Sequence, residues 1–299
     1  AQMFLDPEGV IAFPFRIDPM VMYYNRDLLT SSFIVEPPEF WDEFFTMAPQ
    51  VTSQTDAGEI RQSAVAFGTS NNINHISNLF AMITMQGGND LARRANDGDL
   101  ESILSNDSVA QSVLRYMLVF SNPAQDAYSW NPSEPEARTA FLGGELAVYF
   151  GYASELQSLR QQNPNLNFDV ALMPQTREQS RRVTFGKLTG LAVSKVSQNS
   201  TAAFTIANVL ARAEFSSRLA EASLLPPVQN ALHAERPQEA FQTVFYNSAL
   251  IADGWLDPRP ERTTAIFRDM INDSASGLLR ISQAVRRADA EIQRLYDSL

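Results

Sequence analysis

The chain has 299 residues, of which 44% are hydrophobic and 19% charged, enough for one or two domains with buried cores. Its formal net charge of −11, with acidic residues scattered along the chain, disfavours nucleic-acid binding, which requires a basic surface. The absence of cysteine excludes disulfides, thiolate nucleophiles and cysteine-ligated zinc, and no run of about 18 apolar residues is present that could span a membrane.

The segment from Val10 to Leu29 contains two apolar runs and two prolines. The pattern predicts two short strands separated by a bend. Because proline cannot donate a backbone hydrogen bond, Pro14 and Pro19 favour a crossing or edge position over the middle of a sheet. Arg16 and Asp18 lie between the prolines. Since unpaired buried charges are unfavourable, these two side chains either bond each other or face a water-filled cleft.

A short amphipathic helix is predicted from Phe40 to Met47. Trp41, Phe44 and Phe45 lie on its inner side. The Trp41 ring could stack on a sugar, but three aromatic residues at helical spacing favour a place in the core.

An amide-rich loop precedes the predicted helix Ile76–Met85. Asn72, Asn74 and His75 offer donors and acceptors of the kind needed to bind several hydroxyl groups. A helix that begins near His75 would also direct free backbone N–H groups at a ligand. The alternative is a solvated turn whose asparagines cap the helix. Metal binding is disfavoured, because the other histidine, His233, is far away in the sequence.

Two aromatic residues follow an apolar strand later in the chain. The pattern Ser133–Glu136 predicts a capping box for a helix that ends at Gly143–Gly144, and the strand after it reaches Phe150 and Tyr152. Aromatic rings stack on the apolar faces of pyranoses, and a tyrosine hydroxyl can bond a ligand oxygen. Such rings at a strand end are otherwise most often core residues.

The last third of the chain contributes one more candidate ring. Trp255 lies in a loop-forming pattern between Asp253 and Pro258, where a core position is less easily explained, so we interpret it as a cleft residue. The closing segment Ser282–Ile292 has apolar residues at helical spacing.

These segments resemble, in the same order, motifs of family 1 extracellular solute-binding proteins, the maltose-binding-protein-like receptors of ABC importers. The clearest match is the crossing motif, in which seven positions agree: Pro14, Phe15, Met22, Tyr23, Tyr24, Asn25 and Leu29. Arg16 stands where a smaller residue is usual, and Ser31 replaces an expected charged residue or asparagine.

The other matches are looser. They are a Phe-x-x-Gly-x-x-Ala-Met-like element, the strand before the return crossing, the glycine-rich return strand, a Leu-Pro-Pro turn and the closing helix: Phe141–Val148, Phe168–Pro174, Phe185–Val193, Leu224–Val228 and Ser282–Ile292. The resemblance extends from about Val10 to Leu299.

The resemblance implies an α/β, two-lobed periplasmic-binding-protein type II fold. In the family, several α/β units precede the crossing motif, so we expect an amino-terminally incomplete copy that lacks the first part of the N-terminal lobe. Residues 1–14 and 187–245 would be the remnant of that lobe, and residues 15–186 and 246–299 the C-terminal lobe.

The same resemblance implies an extracytoplasmic receptor that captures a sugar or oligosaccharide between its lobes and delivers it to ABC transporter permease subunits. We expect a monomer without cofactor or metal, periplasmic or extracellular, with lipid anchoring left open. The ligand-binding residues would be Arg16, Asp18, Asn72, Asn74, His75, Phe150, Tyr152 and Trp255. Asp18 matches the family's cleft carboxylate, whereas Arg16 has no such precedent and could bind a negative group of the ligand.

Three alternatives stay open at this point. The solute could be something other than a sugar, or the receptor could dock on a signalling membrane protein. A glycosidase needs two carboxylates at matched separation. Asp18, Glu145 and Asp257 are available, but no local motif supports them, so an enzyme is not expected.

Overall fold

The structure is a computed structural model that describes residues 4–6, 9–95, 98–178, 181–234, 237 and 239–299. It is mixed α/β. The strands, in chain order, are β1 (Leu5–Asp6), β2 (Gly9–Val10), β3 (Phe13–Asn25), β4 (Ser53–Gln54), β5 (Ile60–Val65), β6 (Ala92–Arg94), β7 (Leu100–Ser102), β8 (Leu146–Tyr152), β9 (Phe168–Ala171), β10 (Thr184–Leu191) and β11 (Ala252–Asp253).

The helices alternate with these strands along much of the chain. They are α1 (Arg26–Ser31), α2 (Phe44–Val51), α3 (Ile76–Gln86), α4 (Val109–Val119), α5 (Ala137–Leu142), α6 (Leu156–Gln162), α7 (Ser200–Leu210), α8 (Ala213–Ser223), α9 (Ala240–Leu250), α10 (Pro260–Ala275) and α11 (Ile281–Tyr296). None of the helices within the described ranges combines the length and the apolar character that a membrane span requires.

Strand β3 is the centre of the main sheet, whose order is β11-β10-β3-β8-β5-β4, with β9 also paired to β3. The first half of β3 pairs with β10, in antiparallel register from Phe13 to Pro19. From Met20 onward, β8 joins the other edge of β3, also antiparallel. Burial along β3 changes at the same point: Phe13–Ile17 are partly exposed, whereas Met20–Tyr23 are fully buried.

The prediction of two strands separated by a bend is wrong, because β3 is one continuous strand of 13 residues. Both prolines fit within it. Pro14 stands beside an irregularity in the pairing with β10, and Pro19 immediately precedes the point where β8 joins. This half of the strand has a ladder partner on one edge among the described residues, which is the kind of position that tolerates a missing N–H.

Helices α3, α4, α10 and α11 pack together over one side of the sheet. Helix α3 is the innermost, since ten of its eleven residues are buried. Its start at Ile76 agrees with the prediction, and His75 precedes it in the left-handed conformation with φ of 56°. The predicted closing helix is confirmed as α11, which packs on α10 and α4.

Two local predictions needed correction. The segment near Trp41 forms a short 3₁₀ turn, Trp41–Glu43, before α2; Trp41 is buried in the core as expected, but Phe45 is partly exposed. Helix α5 begins at Ala137, and Ser133 does not cap it. The reason is that the side chain of Asn131 accepts a bond from the Ser133 N–H and holds this stretch as a turn.

A smaller part of the fold lies along the first half of β3. It contains α7, which contacts β3 through an edge-to-face pair of the Phe13 and Phe204 rings, with centroids 5.4 Å apart. Helix α9, by contrast, packs on β3, β9 and β10, and Phe245 is buried in the main core. The predicted lobe boundaries at 14, 186 and 245 stay a prediction.

Candidate functional site

Asp18 lies in the first half of β3 with its side chain largely buried. One carboxylate oxygen accepts a hydrogen bond of 3.0 Å from the backbone N–H of Ser154. The other lies 3.6 Å from a guanidinium nitrogen of Arg16. Of the two sequence-based alternatives for this pair, the structure therefore shows a direct contact between Arg16 and Asp18, with the arginine side chain still partly exposed.

The antiparallel register of β3 and β10 places Lys187 directly opposite Asp18. The Lys187 ammonium lies 3.7 Å from the centroid of the Tyr152 ring, a cation–π contact. Although much of the Lys187 side chain is exposed, the surrounding protein removes part of its hydration. This desolvation lowers the pKa of Lys187, against the opposing effects of Asp18 and Glu155.

Tyr152 connects this group to helix α3. Its hydroxyl accepts a hydrogen bond of 2.6 Å from the side-chain amide of Asn78. The His75 ring meets the Tyr152 ring edge to face, with centroids 4.8 Å apart. Burial raises the pKa of Tyr152, so its hydroxyl stays protonated at neutral pH and can both donate and accept.

Glu155, at the start of α6, lies beneath Tyr152 and His75. Its carboxylate accepts bonds from the Tyr152 N–H at 2.8 Å and the Tyr149 hydroxyl at 2.6 Å. It also contacts His75 Nε2 at 2.8 Å and Arg138 Nε at 3.5 Å. Burial alone would raise the pKa of Glu155, but the bond and charge of His75 and the other donors outweigh it and lower the pKa.

Four of the eight predicted ligand residues thus lie together: Arg16, Asp18, His75 and Tyr152. We call them, with Lys187 and Asn78, the Asp18 group. The group forms where the first half of β3, the end of β8 and the start of α3 meet.

The two predicted asparagines brace the surrounding loops. The Asn72 amide donates to the carbonyl oxygens of Asn131 and Glu134, at 2.9 and 3.0 Å. Asn74 bonds the Glu136 carboxylate and the backbone N–H of Arg138, at 2.6 and 3.0 Å. These amide groups are already engaged within the protein, and their contact with a ligand stays a prediction.

Phe150 is a core residue in this structure, 4% exposed. Its ring packs against the rings of Trp41, Phe44 and Phe67, with centroids 5.4 to 6.1 Å apart. It shares a face of β8 with Tyr152, two residues further along the strand. Tyr152 is itself only 2% exposed, with the Lys187 ammonium over its ring. Neither predicted ring is exposed in this structure, and the contact of either with a ligand stays a prediction.

Trp255 lies elsewhere, in the loop between β11 and α10. It lines a cleft of about 360 Å³ together with Arg93, Arg181 and Asp253. No member of the Asp18 group lines this cleft. Trp255 therefore lies apart from the Asp18 group, with its ring centroid 6.3 Å from that of the buried Phe267, and its contact with a ligand stays a prediction.

Sequence reasoning missed Lys187, Asn78 and Glu155. Lys187 lies within the return strand that was recognised, and its importance depends on the register with β3. Glu155 follows Tyr152 by three residues, at the entry to a helix, a spacing that could have indicated a carboxylate bonded to the Tyr152 N–H.

Two of the carboxylates considered for a glycosidase, Asp18 and Glu145, do not meet. Glu145 immediately precedes β8, whereas Asp18 lies beyond the opposite end, so the two are separated by roughly 20 Å or more along the strand direction. Asp257 accepts bonds from Thr263 and from the Arg259 N–H at the start of α10. Glycosidase carboxylates lie about 5 to 10 Å apart.

Several solved structures share the fold. The tagatose-bound ABC transporter solute-binding protein of Thermotoga lettingae has a TM-score of 0.69 and 16% identity, over 97% of this chain and 73% of that one. Maltose-bound T. maritima MalE3 has a TM-score of 0.70 and 17% identity, over 98% and 75%. The cyclic α-maltosyl-1,6-maltose binding protein of Arthrobacter globiformis has a TM-score of 0.75 and 13% identity, over 100% and 75%.

These matches confirm the predicted type II periplasmic-binding-protein fold. Among curated proteins, no sequence matches at a significant level. A sequence model described as a bacterial extracellular solute-binding protein matches residues 2–243, most of the chain. The protein belongs to the bacterial extracellular solute-binding protein family.

Proposed function

We propose that the protein is a receptor that binds a sugar or oligosaccharide at the Asp18 group and delivers it to an ABC transporter. The observation that carries the proposal is the meeting of a carboxylate, Asp18, with the ring of Tyr152 and the side chains of His75 and Asn78. Three structures of the same fold are of proteins described as bound to tagatose, bound to maltose or binding a cyclic maltosyl-maltose.

The chemistry of the group suits a polyhydroxylated ligand. Asp18 can accept hydrogen bonds from sugar hydroxyls, and bonds to a charged acceptor are about twice as strong as neutral ones. Tyr152 is 2% exposed, so stacking of its ring on the apolar face of a pyranose requires that the ring be uncovered. In this structure Lys187 lies over that ring, so a stacked sugar would move the ammonium to a position beside the ligand.

We further propose capture by lobe closure. Contacts to the ligand from both lobes would shift the population towards a closed form that the permease subunits recognise. Only a difference in affinity between the open and closed forms can produce this shift. A monomer, periplasmic or extracellular, with or without a lipid anchor, is part of the same proposal.

Calorimetric titration with monosaccharides, oligosaccharides, polyols, amino acids and ferric ion tests the ligand class. We expect saturable binding of at least one carbohydrate. Binding of an amino acid or ferric ion, with none of any carbohydrate, would contradict the sugar assignment.

The variant Asp18→Asn tests the site. It keeps the side-chain shape but removes the charge, and a hydrogen bond to a charged group contributes about 1.5–3 kcal/mol. We therefore expect the affinity for the best carbohydrate to fall by roughly tenfold to a hundredfold. Asp56→Asn, at an exposed turn, is the matched control and should bind as the wild type does. Equal affinities for all three proteins would place the ligand elsewhere.

A further inference from the structure

We propose that the ligand of the Asp18 group is an anionic saccharide, whose carboxylate or phosphate is held between Arg16 and Lys187. The proposal rests on the sugar-receptor function proposed above and specifies the substrate class of that site.

The two cations share one face of the sheet. Arg16 and Asp18 are two residues apart on β3, so their side chains point to the same side. On β10, Lys187 pairs with Asp18 and Thr189 pairs with Arg16. Arg16 and Lys187 are therefore diagonal neighbours, about 7–8 Å apart at the backbone. Two side chains of this length can contact a single carboxylate or phosphate from opposite sides.

The charges of the Asp18 group do not balance. Asp18 is the one carboxylate that faces the two cations among the described residues, and it is already shared between Arg16 and the Ser154 N–H. Glu155, the next nearest carboxylate, is occupied by His75 and Arg138. The group is thus locally positive on a chain with a net charge of −11. An anion bound here would complete the pairing.

Each cation also has unused bonding capacity. The Nε–H of Arg16 is buried and has no hydrogen-bond partner among the described residues, an unfavourable state for a charged donor. Lys187 forms no ion pair within the part of the chain that the structure describes, and its contact is the Tyr152 ring. Carboxylate and phosphate oxygens are strong acceptors for both groups.

A neutral sugar would satisfy this arrangement less well. Its hydroxyls could accept from Arg16 and Lys187, but they would leave the extra positive charge uncompensated in a partly desolvated place. A sugar acid or sugar phosphate supplies hydroxyls for Asp18 as well as the anion. The distinguishing quantity is therefore the affinity ratio between saccharides that differ in charge alone.

Calorimetry with matched ligands measures this ratio. The ligands are galacturonate against galactose, glucuronate against glucose, glucose 6-phosphate against glucose, and inorganic phosphate alone. We expect at least one anionic saccharide to bind at least tenfold more tightly than its neutral partner. If the uronates show this preference, the bound group is a carboxylate; if glucose 6-phosphate shows it, the bound group is a phosphate. In Lys187→Met and Arg16→Gln this preference should fall below threefold.

Lys195→Met is the matched control, because Lys195 is exposed and is the only other lysine in the chain. It should keep the full preference. Neutral saccharides that bind as tightly as the anionic ones would overturn the inference and leave the sugar-receptor function intact. Inorganic phosphate that binds as tightly as the sugar phosphate would also overturn it. Binding of none of the saccharides would overturn the proposed function itself.

Lysine acetylation followed by mass spectrometry provides a readout that needs no variant. With the best anionic saccharide at saturation, we expect the acetylation rate of Lys187 to fall at least fivefold while that of Lys195 is unchanged. Equal rates for Lys187 with and without the bound anion would contradict the assigned contact.

Discussion

Glu155 shows how one residue organises the candidate site. Its carboxylate joins a backbone N–H from the end of β8, a hydroxyl from the same strand, His75 before α3 and Arg138 of α5. The side chain is largely buried; the Tyr152 N–H, the Tyr149 hydroxyl and His75 donate hydrogen bonds to it, and Arg138 forms an ion pair with it. The position of Tyr152 therefore depends on this carboxylate.

We expect Glu155→Gln to reduce the free energy of unfolding by about 1.5–3 kcal/mol at pH 7, because bonds to a charged acceptor are lost. The folded-state pKa of Glu155 is lowered, so its stabilisation is complete above the unfolded pKa of about 4.3 and is lost as the pH falls through the folded pKa. The difference between wild type and variant should therefore shrink at about pH 3.5.

Urea unfolding at the two pH values measures both quantities. Glu36→Gln, at an exposed position, is the control and should match the wild type throughout. A difference between wild type and Glu155→Gln that stays constant from about pH 7 to about pH 3.5 would contradict the role assigned to the carboxylate charge.

At the scale of elements, the end of strand β8, which contains Tyr152, is closely packed. Gly151 lies between Phe150 and Tyr152. A β-carbon there would lie 2.6 Å from Cε1 of Tyr149 and 3.0 Å from Oε1 of Glu155. The Tyr149 ring is buried and stacked on Tyr23, with centroids 6.0 Å apart, so it has little room to move.

We expect Gly151→Ala to lower the free energy of unfolding by about 1–3 kcal/mol, the usual range for overpacking a well-filled core. Because the inserted methyl also presses on Glu155, the affinity for the ligand should weaken. Gly143→Ala is the control, since a β-carbon there meets no atom closer than 3.5 Å. Denaturant unfolding and calorimetry check both effects; an unchanged Gly151→Ala protein would show that Tyr149 and Glu155 move freely.

Over the whole molecule, burial is uneven. Helix α3 is buried along nearly its whole length and touches β10, α4 and α10. In α7, by contrast, Ala207 is the one buried residue, and Phe204 and Ile206 are 53% and 60% exposed. Local stability follows such differences in buried apolar contact.

Hydrogen exchange should reveal this contrast. We expect the amides of α3 to exchange only through global unfolding, and those of α7 at least about a hundredfold faster, a difference of about 2.7 kcal/mol in opening free energy. Exchange monitored by mass spectrometry on peptides that cover 76–86 and 200–210 measures both. Equal protection of the two helices would contradict the uneven packing.

Much of the fold was predictable from local sequence. The start of α3, the buried Trp41 and the closing helix α11 follow from apolar periodicity and composition. The return strand β10 was expected from the family resemblance. The crossing motif predicted the family and the type II fold, and both are confirmed. The continuity of β3 was not predicted, because its two prolines were taken to interrupt the strand. A proline is tolerated within a strand where the missing N–H would face an unpaired edge, and the sequence does not show which edge is unpaired.

The sequence by itself determined that Arg16, Asp18, His75 and Tyr152 were candidates, since polar and aromatic residues in these places suit a sugar. Only the tertiary structure decided that Lys187 lies opposite Asp18, far away in the chain, and that Glu155 meets His75. It also separated Trp255 from them. The physical reason is that periodicity fixes which residues share a face within one element, whereas the register between elements is set by how their buried faces pack.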